Sequence, residues 1–161
     1  MTASNDHTVH FIRHFDAPVT DLWAACTEPQ WLIHWFAPAP FHDCTVEADV
    51  RVGGRFFFRM TADPGTFAAE GTYQEVVPLR RLSLTWTWTE GPPDEPPDGT
   101  TSSVSIDLTP EGDGTRLALT HALLPDRRQA DSHRQGWMEC LDKLAALLAG
   151  VKASPPVLPK S

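Results

Sequence analysis

A single histidine lies where the strand pattern calls for an apolar side chain. His121 follows Leu117 and Leu119 and precedes Leu123 at every second position, so strand alternation points its imidazole toward the same interior as the leucines. With an ordinary pKa near 6.5, an imidazole can anchor a polar ligand group or transfer a proton near neutral pH. The equally weighted alternative is a buried neutral histidine that is hydrogen-bonded to a helix. His121 is the strongest single site candidate, and the sequence identifies no partner for it.

Bulky apolar side chains recur on the same predicted interior. In the predicted strands 55–61 and 81–89, alternation places the bulky apolar side chains on one face. Helical spacing in the C-terminal helix adds apolar side chains that we expect to lie opposite this face. Ligand pockets are built in this manner, from apolar walls with a few placed polar groups. Solid core packing is the commoner use of such residues and stays open as the alternative. The predicted ligand-binding residues are Phe56, Phe58, Met60, Trp86, Trp88, His121, Trp137 and Leu141.

Other chemistry lacks the spacing that it needs. His34, His42, Asp43 and Cys44 cluster in sequence, but no HxxxH or CxxC pair accompanies them, so no metal site is predicted. The pair Gly53 and Gly54 lacks the pattern of a phosphate-binding loop, and we expect both to be turn glycines with positive φ. No cofactor is predicted, and no catalytic residue is assigned.

Cysteine usage and composition limit the class of protein. The three cysteines, Cys26, Cys44 and Cys140, lie far apart, and we expect reduced thiols that pack as small apolar side chains. The chain has 161 residues, 13 basic and 21 acidic, for a net charge of −8. This charge argues against nucleic-acid binding and against a polybasic membrane surface. The polar N-terminus carries no signal-like apolar run, so we predict a cytoplasmic protein without membrane insertion.

The periodicity defines the elements that must position these side chains. One strand is followed by two short helices, then by strands joined through turns, then by one long amphipathic helix that Gly150 is expected to end. The predicted strands are residues 9–15, 43–48, 55–61, 67–77, 81–89, 103–109 and 115–123. The predicted helices run from about residue 18 to 27, over PQWLIHWFAP until Pro38 ends it, and from about residue 126 or 130 to 149.

These elements predict an α+β domain. A meandering antiparallel sheet must cover its apolar face, and the C-terminal helix is the largest cover that the chain offers. We assign residues 8–150 to a single domain, residues 1–7 to a polar lead and residues 151–161 to a flexible tail.

Five segments carry a family resemblance: FDAPVTDLWAACTEPQWLIHWFAP, DVRVGGRFFFRM, GTYQEVVPLRRLSLTWTW, TRLALTHALLPD and HRQGWMECLDKLAALL. They resemble, in order and over about residues 9–149, the bacterial proteins similar to the activator of heat-shock-protein-90 ATPase homologue. These belong to the SRPBCC, START and Bet v 1-like superfamily. The resemblance implies a helix-grip fold, in which a curved antiparallel sheet wraps around the long C-terminal helix. It also implies a cavity between the two, which many relatives use for an apolar ligand.

The resemblance leaves several functions open, because one fold hosts many activities. Our leading hypothesis is a protein that binds a small apolar or aromatic molecule in the cavity, and it is favoured over an enzyme, which stays open as an alternative. The second is a chaperone partner that stimulates an ATPase, which would need an exposed complementary surface. The third is a polyketide cyclase or hydrolase that uses His121 as acid or base, for which the sequence singles out no second catalytic group. A homodimer is compatible with each of them.

Overall fold

The computed structural model describes residues 7–36, 43–62, 65–91 and 97–153. The chain begins with one strand and two helices, continues through six strands and ends in a long helix. The elements are β1 (His7–Phe15), α1 (Val19–Thr27), α2 (Pro29–Leu32), β2 (Asp43–Ala48), β3 (Arg55–Ala62), β4 (Gly65–Val77), β5 (Arg81–Glu90), β6 (Thr101–Glu111), β7 (Gly114–Leu124) and α3 (Arg127–Ala153).

The seven strands form one curved antiparallel sheet in the order β1-β7-β6-β5-β4-β3-β2. Each of the strands from β2 to β6 pairs with the next strand along the chain, as hairpin connections allow. Strand β1 instead pairs with β7, where Val9 lies opposite His121. The predicted sheet and the predicted helix-grip architecture are confirmed.

Side-chain alternation sorts the sheet into a concave face, packed against α3, and an outer face. Phe56, Phe58 and Met60 of β3 are buried, whereas the alternate positions Arg55 and Arg59 are exposed. Burial of the apolar positions from both layers removes them from water and forms the main core, beside which Val9, Leu124 and Ala130 form a smaller cluster. The members of the main core from β5 and α3 are Leu82, Leu84, Trp86, Trp137, Cys140, Leu141, Leu144 and Leu148.

Two helix boundaries differ from the sequence prediction. Helix α2 ends at Leu32, because His34 and Trp35 donate their backbone N–H groups three residues back, to Trp31 and Leu32, in tighter turns. The expected stop at Gly150 is wrong: α3 continues to Ala153. Apart from its chain neighbours and the backbone of its own helix, no atom lies within 4 Å of a Cβ built on Gly150, so nothing in the packing requires a glycine there.

Two local details of the strands also differ. Leu123 was predicted to face the interior with Leu117 and Leu119, but it adopts φ 63° and is 51% exposed, and Leu124 takes the buried position. Gly53 has the expected positive φ of 85°. Gly54 does not, and it is required for space, because a Cβ there would lie 1.9 Å from the backbone oxygen of Asp49.

Within the described residues, no helix combines the length and the apolar character that crossing a membrane requires.

Candidate functional site

The structure brings all eight predicted ligand-binding residues together on the concave face. Seven of them are buried, and Trp88 is half-buried at one end of the group. Strands β3, β5 and β7 supply six of these side chains, and α3 supplies Trp137 and Leu141 from above. We call the set formed by the predicted residues and the rings that contact them the concave cluster. It consists of Phe36, Phe56, Phe58, Met60, Phe67, Tyr73, Trp86, Trp88, His121, His133, Trp137 and Leu141.

Trp86 lies at the centre of the concave cluster. Its indole contacts Phe56 and Trp88, each with ring centroids 5.5 Å apart, and Trp137 with centroids 6.0 Å apart. Phe36, Phe58 and His121 complete a set of six neighbouring rings at 6.1 to 6.2 Å. Three of these pairs are tilted and three are edge-to-face, and the aromatic quadrupole favours the edge-to-face arrangement.

His121 is fully buried and makes hydrogen bonds through both ring nitrogens. Trp137 Nε1–H, which can only donate, donates to His121 Nδ1 over 3.0 Å. His121 Nδ1 is therefore the acceptor nitrogen, and the hydrogen of the neutral imidazole lies on Nε2. This Nε2–H donates to Ser102 Oγ over 2.6 Å, and the Ser102 hydroxyl donates to the backbone oxygen of Trp86 over 3.2 Å. The chain of hydrogen bonds is internally consistent, with a donor and an acceptor at every link.

The register of the sheet places this chain of hydrogen bonds. Ser102 is directly opposite Trp86 in the β5–β6 pair, and Val104 is opposite His121 in the β6–β7 pair. At the start of α3, Asp126 Oδ1 accepts the backbone N–H of Gln129 over 2.8 Å, which caps the helix. The capped helix then presents the side chains of its later turns to the sheet.

Another histidine, His133 of α3, lies at the more open end of the concave cluster. His133 Nε2 accepts the indole N–H of Trp88 over 3.2 Å, and both side chains are half-buried. The imidazoles of His133 and His121 lie with centroids 4.3 Å apart. Burial lowers the pKa of His133 to about 4. Burial, and then the nearby His133, lower the pKa of His121 well below its ordinary value. Both histidines are therefore neutral at physiological pH.

One buried donor in the concave cluster has no partner in the described part of the chain. Trp86 is only 4% exposed, and its buried Nε1–H meets no hydrogen-bond acceptor there. Buried polar groups are nearly always paired, and an unpaired one costs free energy. The indole N–H of Trp86 is therefore an unpaired donor at the centre of the concave cluster.

Several other residues are placed by the structure. Tyr73, whose face the sequence did not assign, is buried against Phe56 with ring centroids 6.3 Å apart. Cys26 and Cys140 are buried, and burial raises the pKa of each thiol to about 12. Among residues 7–36, 43–62, 65–91 and 97–153, no three His, Cys, Asp or Glu side chains are grouped to hold a metal ion.

Sequence reasoning did not assign to the site Ser102 or four members of the concave cluster, which are Phe36, Phe67, Tyr73 and His133. Ser102 shares the parity of Val104 and Ile106, which would have placed it on the inner face had the strand been extended to residue 101. His133 precedes Trp137 by one helical turn and so lies on the same face of α3. Phe36 belongs to the apolar helical stripe that the sequence predicts in PQWLIHWFAP, but that stripe does not show which other element it packs against.

A separate surface cleft of about 200 Å³ lies between the end of β1 and the last turns of α3. Its lining residues are His14, Phe15, Asp16, Ala145, Leu148 and Ala149. None of the predicted ligand-binding residues contributes to it.

Comparison with known proteins agrees with this architecture. The family described as Activator of Hsp90 ATPase homolog 1-like protein matches residues 16–149. No curated protein matches the sequence significantly. A protein from Chromobacterium violaceum has a similar crystal structure, with a TM-score of 0.77, 29% identity, and coverage of 88% of this chain and 96% of that one.

Two further solved structures support the same assignment. The AHSA1 protein from Silicibacter pomeroyi is 28% identical, with a TM-score of 0.72 and coverage of 89% of this chain and 98% of that one. A protein from Nitrosomonas europaea is 30% identical, with a TM-score of 0.69 and coverage of 91% and 96%. Matching sequence, element order and helix-grip fold together show that the chain belongs to the Activator of Hsp90 ATPase homolog 1-like family, within the Bet v 1-like superfamily.

Proposed function

We propose that this protein binds a small apolar or aromatic molecule between the concave face of the sheet and α3. The observation that carries the proposal is the ring of six aromatic neighbours around Trp86, directly beneath α3. The proposed contact residues are the eight predicted from the sequence: Phe56, Phe58, Met60, Trp86, Trp88, His121, Trp137 and Leu141.

The proposed route of entry is the end of the concave cluster where Trp88 and His133 are half-buried. Phe67 stands beside Trp88 with ring centroids 6.3 Å apart and is half-buried as well. A ligand that enters here meets progressively drier rings, from Trp88 to Trp86.

The expected affinity is moderate. Burial of about 300 Å² of apolar ligand surface at about 25 cal/mol per Å² gives roughly 7 kcal/mol before the cost of immobilisation. Micromolar or weaker dissociation constants follow from this range.

In this proposal His121 positions other groups and does not transfer protons. Its two nitrogens are engaged by Trp137 and Ser102, and its lowered pKa keeps it neutral. A general base would have to give up the Trp137 bond before it could accept a substrate proton at Nδ1. The contacts of His121 therefore favour binding over catalysis.

The test is a titration with N-phenyl-1-naphthylamine, a neutral aromatic probe whose emission rises in apolar surroundings. We expect saturable binding with quenching of tryptophan emission. Trp88→Ala should weaken the affinity by about threefold to tenfold, the usual contribution of one aromatic pair.

Trp23→Ala is the matched control, because Trp23 is also half-buried but lies on α1 outside the concave cluster. It should bind the probe as the wild type does. Absence of saturable binding by the wild type, or an equal loss of affinity in both variants, would contradict the proposal.

A further inference from the structure

We propose that the ligand is a neutral, ring-bearing molecule with a hydrogen-bond acceptor, such as a carbonyl oxygen, which takes the Nε1–H of Trp86. This inference rests on the proposed function and narrows it from apolar molecules in general to one chemical class. It follows from the hydrogen bonds that the concave cluster makes and the one that it leaves unmade.

The three indole donors of the cluster are used differently. Trp137 Nε1–H donates to His121 over 3.0 Å, and Trp88 Nε1–H donates to His133 over 3.2 Å. Trp86 Nε1–H has no acceptor within the described residues, and it lies deeper than Trp88. Its neighbours Phe56, Phe58 and Trp137 offer no oxygen or nitrogen lone pair, and the acceptor nitrogen of the neighbouring His121 is already engaged by Trp137.

Three acceptors of the site, on His121, His133 and the backbone of Trp86, are already occupied. His121 Nδ1 and His133 Nε2 each receive an indole hydrogen, and the backbone oxygen of Trp86 receives the Ser102 hydroxyl. The buried polar group that lacks a hydrogen-bond partner in the described residues, Trp86 Nε1–H, is thus a donor. A ligand satisfies it with an acceptor oxygen, whereas an additional donor on the ligand would compete with bonds that exist.

The charge of the site restricts the ligand further. The side chains of the concave cluster are aromatic, aliphatic or thioether groups and two histidines that are neutral at physiological pH. A carboxylate placed beside Trp86 would be desolvated without gaining a cationic partner. The free energy of this desolvation exceeds the free energy gained from one indole hydrogen bond. The acceptor is therefore expected on an uncharged ligand.

The test compares acetophenone with α-methylstyrene, which has nearly the same shape but carries C=CH₂ in place of C=O. We expect acetophenone to bind the wild type about threefold to tenfold more tightly, the usual return of one hydrogen bond to a neutral acceptor. Benzoate should bind more weakly than acetophenone. In ¹H–¹⁵N spectra, acetophenone should move the assigned Trp86 indole resonance downfield, and α-methylstyrene should not.

Two variants complete the design. Trp86→Phe keeps a ring but removes the donor, so the preference for acetophenone should disappear, whereas Trp23→Phe should keep it. The wild-type comparison and the indole resonance decide the question even if Trp86→Phe does not fold. Equal affinity for the two neutral probes, an unmoved Trp86 resonance, or tighter binding of benzoate overturns this inference and leaves the proposed function intact. Failure of all three probes to bind overturns both.

Discussion

The indole Nε1–H of Trp137 donates to Nδ1 of His121 over 3.0 Å, so a buried polar bond joins α3 to β7 through the middle of an apolar core. This bond sets the tautomer of the imidazole and, through it, the direction of the hydrogen bond to Ser102. A helix that slid along the sheet would leave two buried polar groups unpaired. The pair therefore specifies how α3 sits over the concave cluster.

Replacing Trp137 by phenylalanine tests the strength of this bond. Trp137→Phe keeps a ring but leaves His121 Nδ1 buried without a donor, which should lower the free energy of unfolding by about 2 kcal/mol and Tm by roughly 4–8 °C. Urea and thermal unfolding measure both. Trp23→Phe controls for the smaller ring.

The double variant His121→Leu/Trp137→Phe should cost less than the sum of the two single variants, by on the order of 1 kcal/mol. Additive costs would show that the two side chains do not depend on each other.

The two buried histidines predict a loss of stability in mild acid. Their pKa values are lowered in the folded protein, to about 4 for His133, whereas the unfolded chain titrates near 6.5. Below pH 6.5 the unfolded state binds more protons, so stability falls as the pH drops from about 6.5 toward 4. His133 alone should remove about 2 kcal/mol at pH 5.

Urea unfolding at pH 7.5 and pH 5 measures this effect. His133→Gln keeps an acceptor for Trp88 but does not titrate, so it should lose less stability between the two pH values than the wild type does. His34→Gln, at an exposed position, controls for the removal of a histidine. A wild type that is equally stable at both pH values would refute the prediction.

The concave face was predictable because strand alternation has a period of two and only one face of this sheet is dry. That single rule places Phe56, Phe58 and Trp86 on the same interior, and helical spacing adds Trp137 and Leu141 opposite them. Which strands are neighbours follows from the short connections between β2 and β5. The resemblance of the sequence implied the helix-grip architecture, but the pairing of β1 with β7 is seen only in the structure.

The hydrogen-bond partners of His121 were not predictable, because they depend on the register between neighbouring strands. The hydrophobic period of a single strand does not fix that register. Ser102 reaches the site only because it pairs with Trp86 across a long connection, residues 91–100, whose length fixes no register by itself. The direction of Leu123 fails for a related reason, since one residue with positive φ reverses the alternation at the end of β7. Local backbone irregularities are not visible in a hydrophobic pattern.

Burial predicts the order in which the thiols react. The pKa of Cys26 and that of Cys140 are raised to about 12, and that of the half-buried Cys44 to about 11. Cys140 also donates its S–H to the backbone oxygen of Phe36 over 3.4 Å. We expect iodoacetamide at pH 8 to modify the folded protein slowly and at Cys44 first. Peptide mass spectrometry with and without urea checks this, and early labelling of Cys26 would contradict it.

Two glycines should respond to alanine in opposite directions. Gly71 lies in β4 where β5 approaches closely beside Trp86: a Cβ there would stand 1.7 Å from the backbone oxygen of Thr85. The same contact lets Thr72 donate its backbone N–H to Thr85 Oγ1 over 2.9 Å. Gly71→Ala must push the strands apart and should cost at least about 3 kcal/mol, with loss of probe binding.

Gly150→Ala should instead stabilise the protein, by about 0.5–1 kcal/mol, because Gly150 lies within α3 and its added methyl group meets open space. Urea unfolding of the two variants beside the wild type gives both signs in one experiment. A destabilised Gly150→Ala would show that the helix ends before this residue, as the glycine alone had suggested. A Gly71→Ala variant as stable as the wild type would mean that β4 and β5 are farther apart beside Trp86, and the site would then need another geometry.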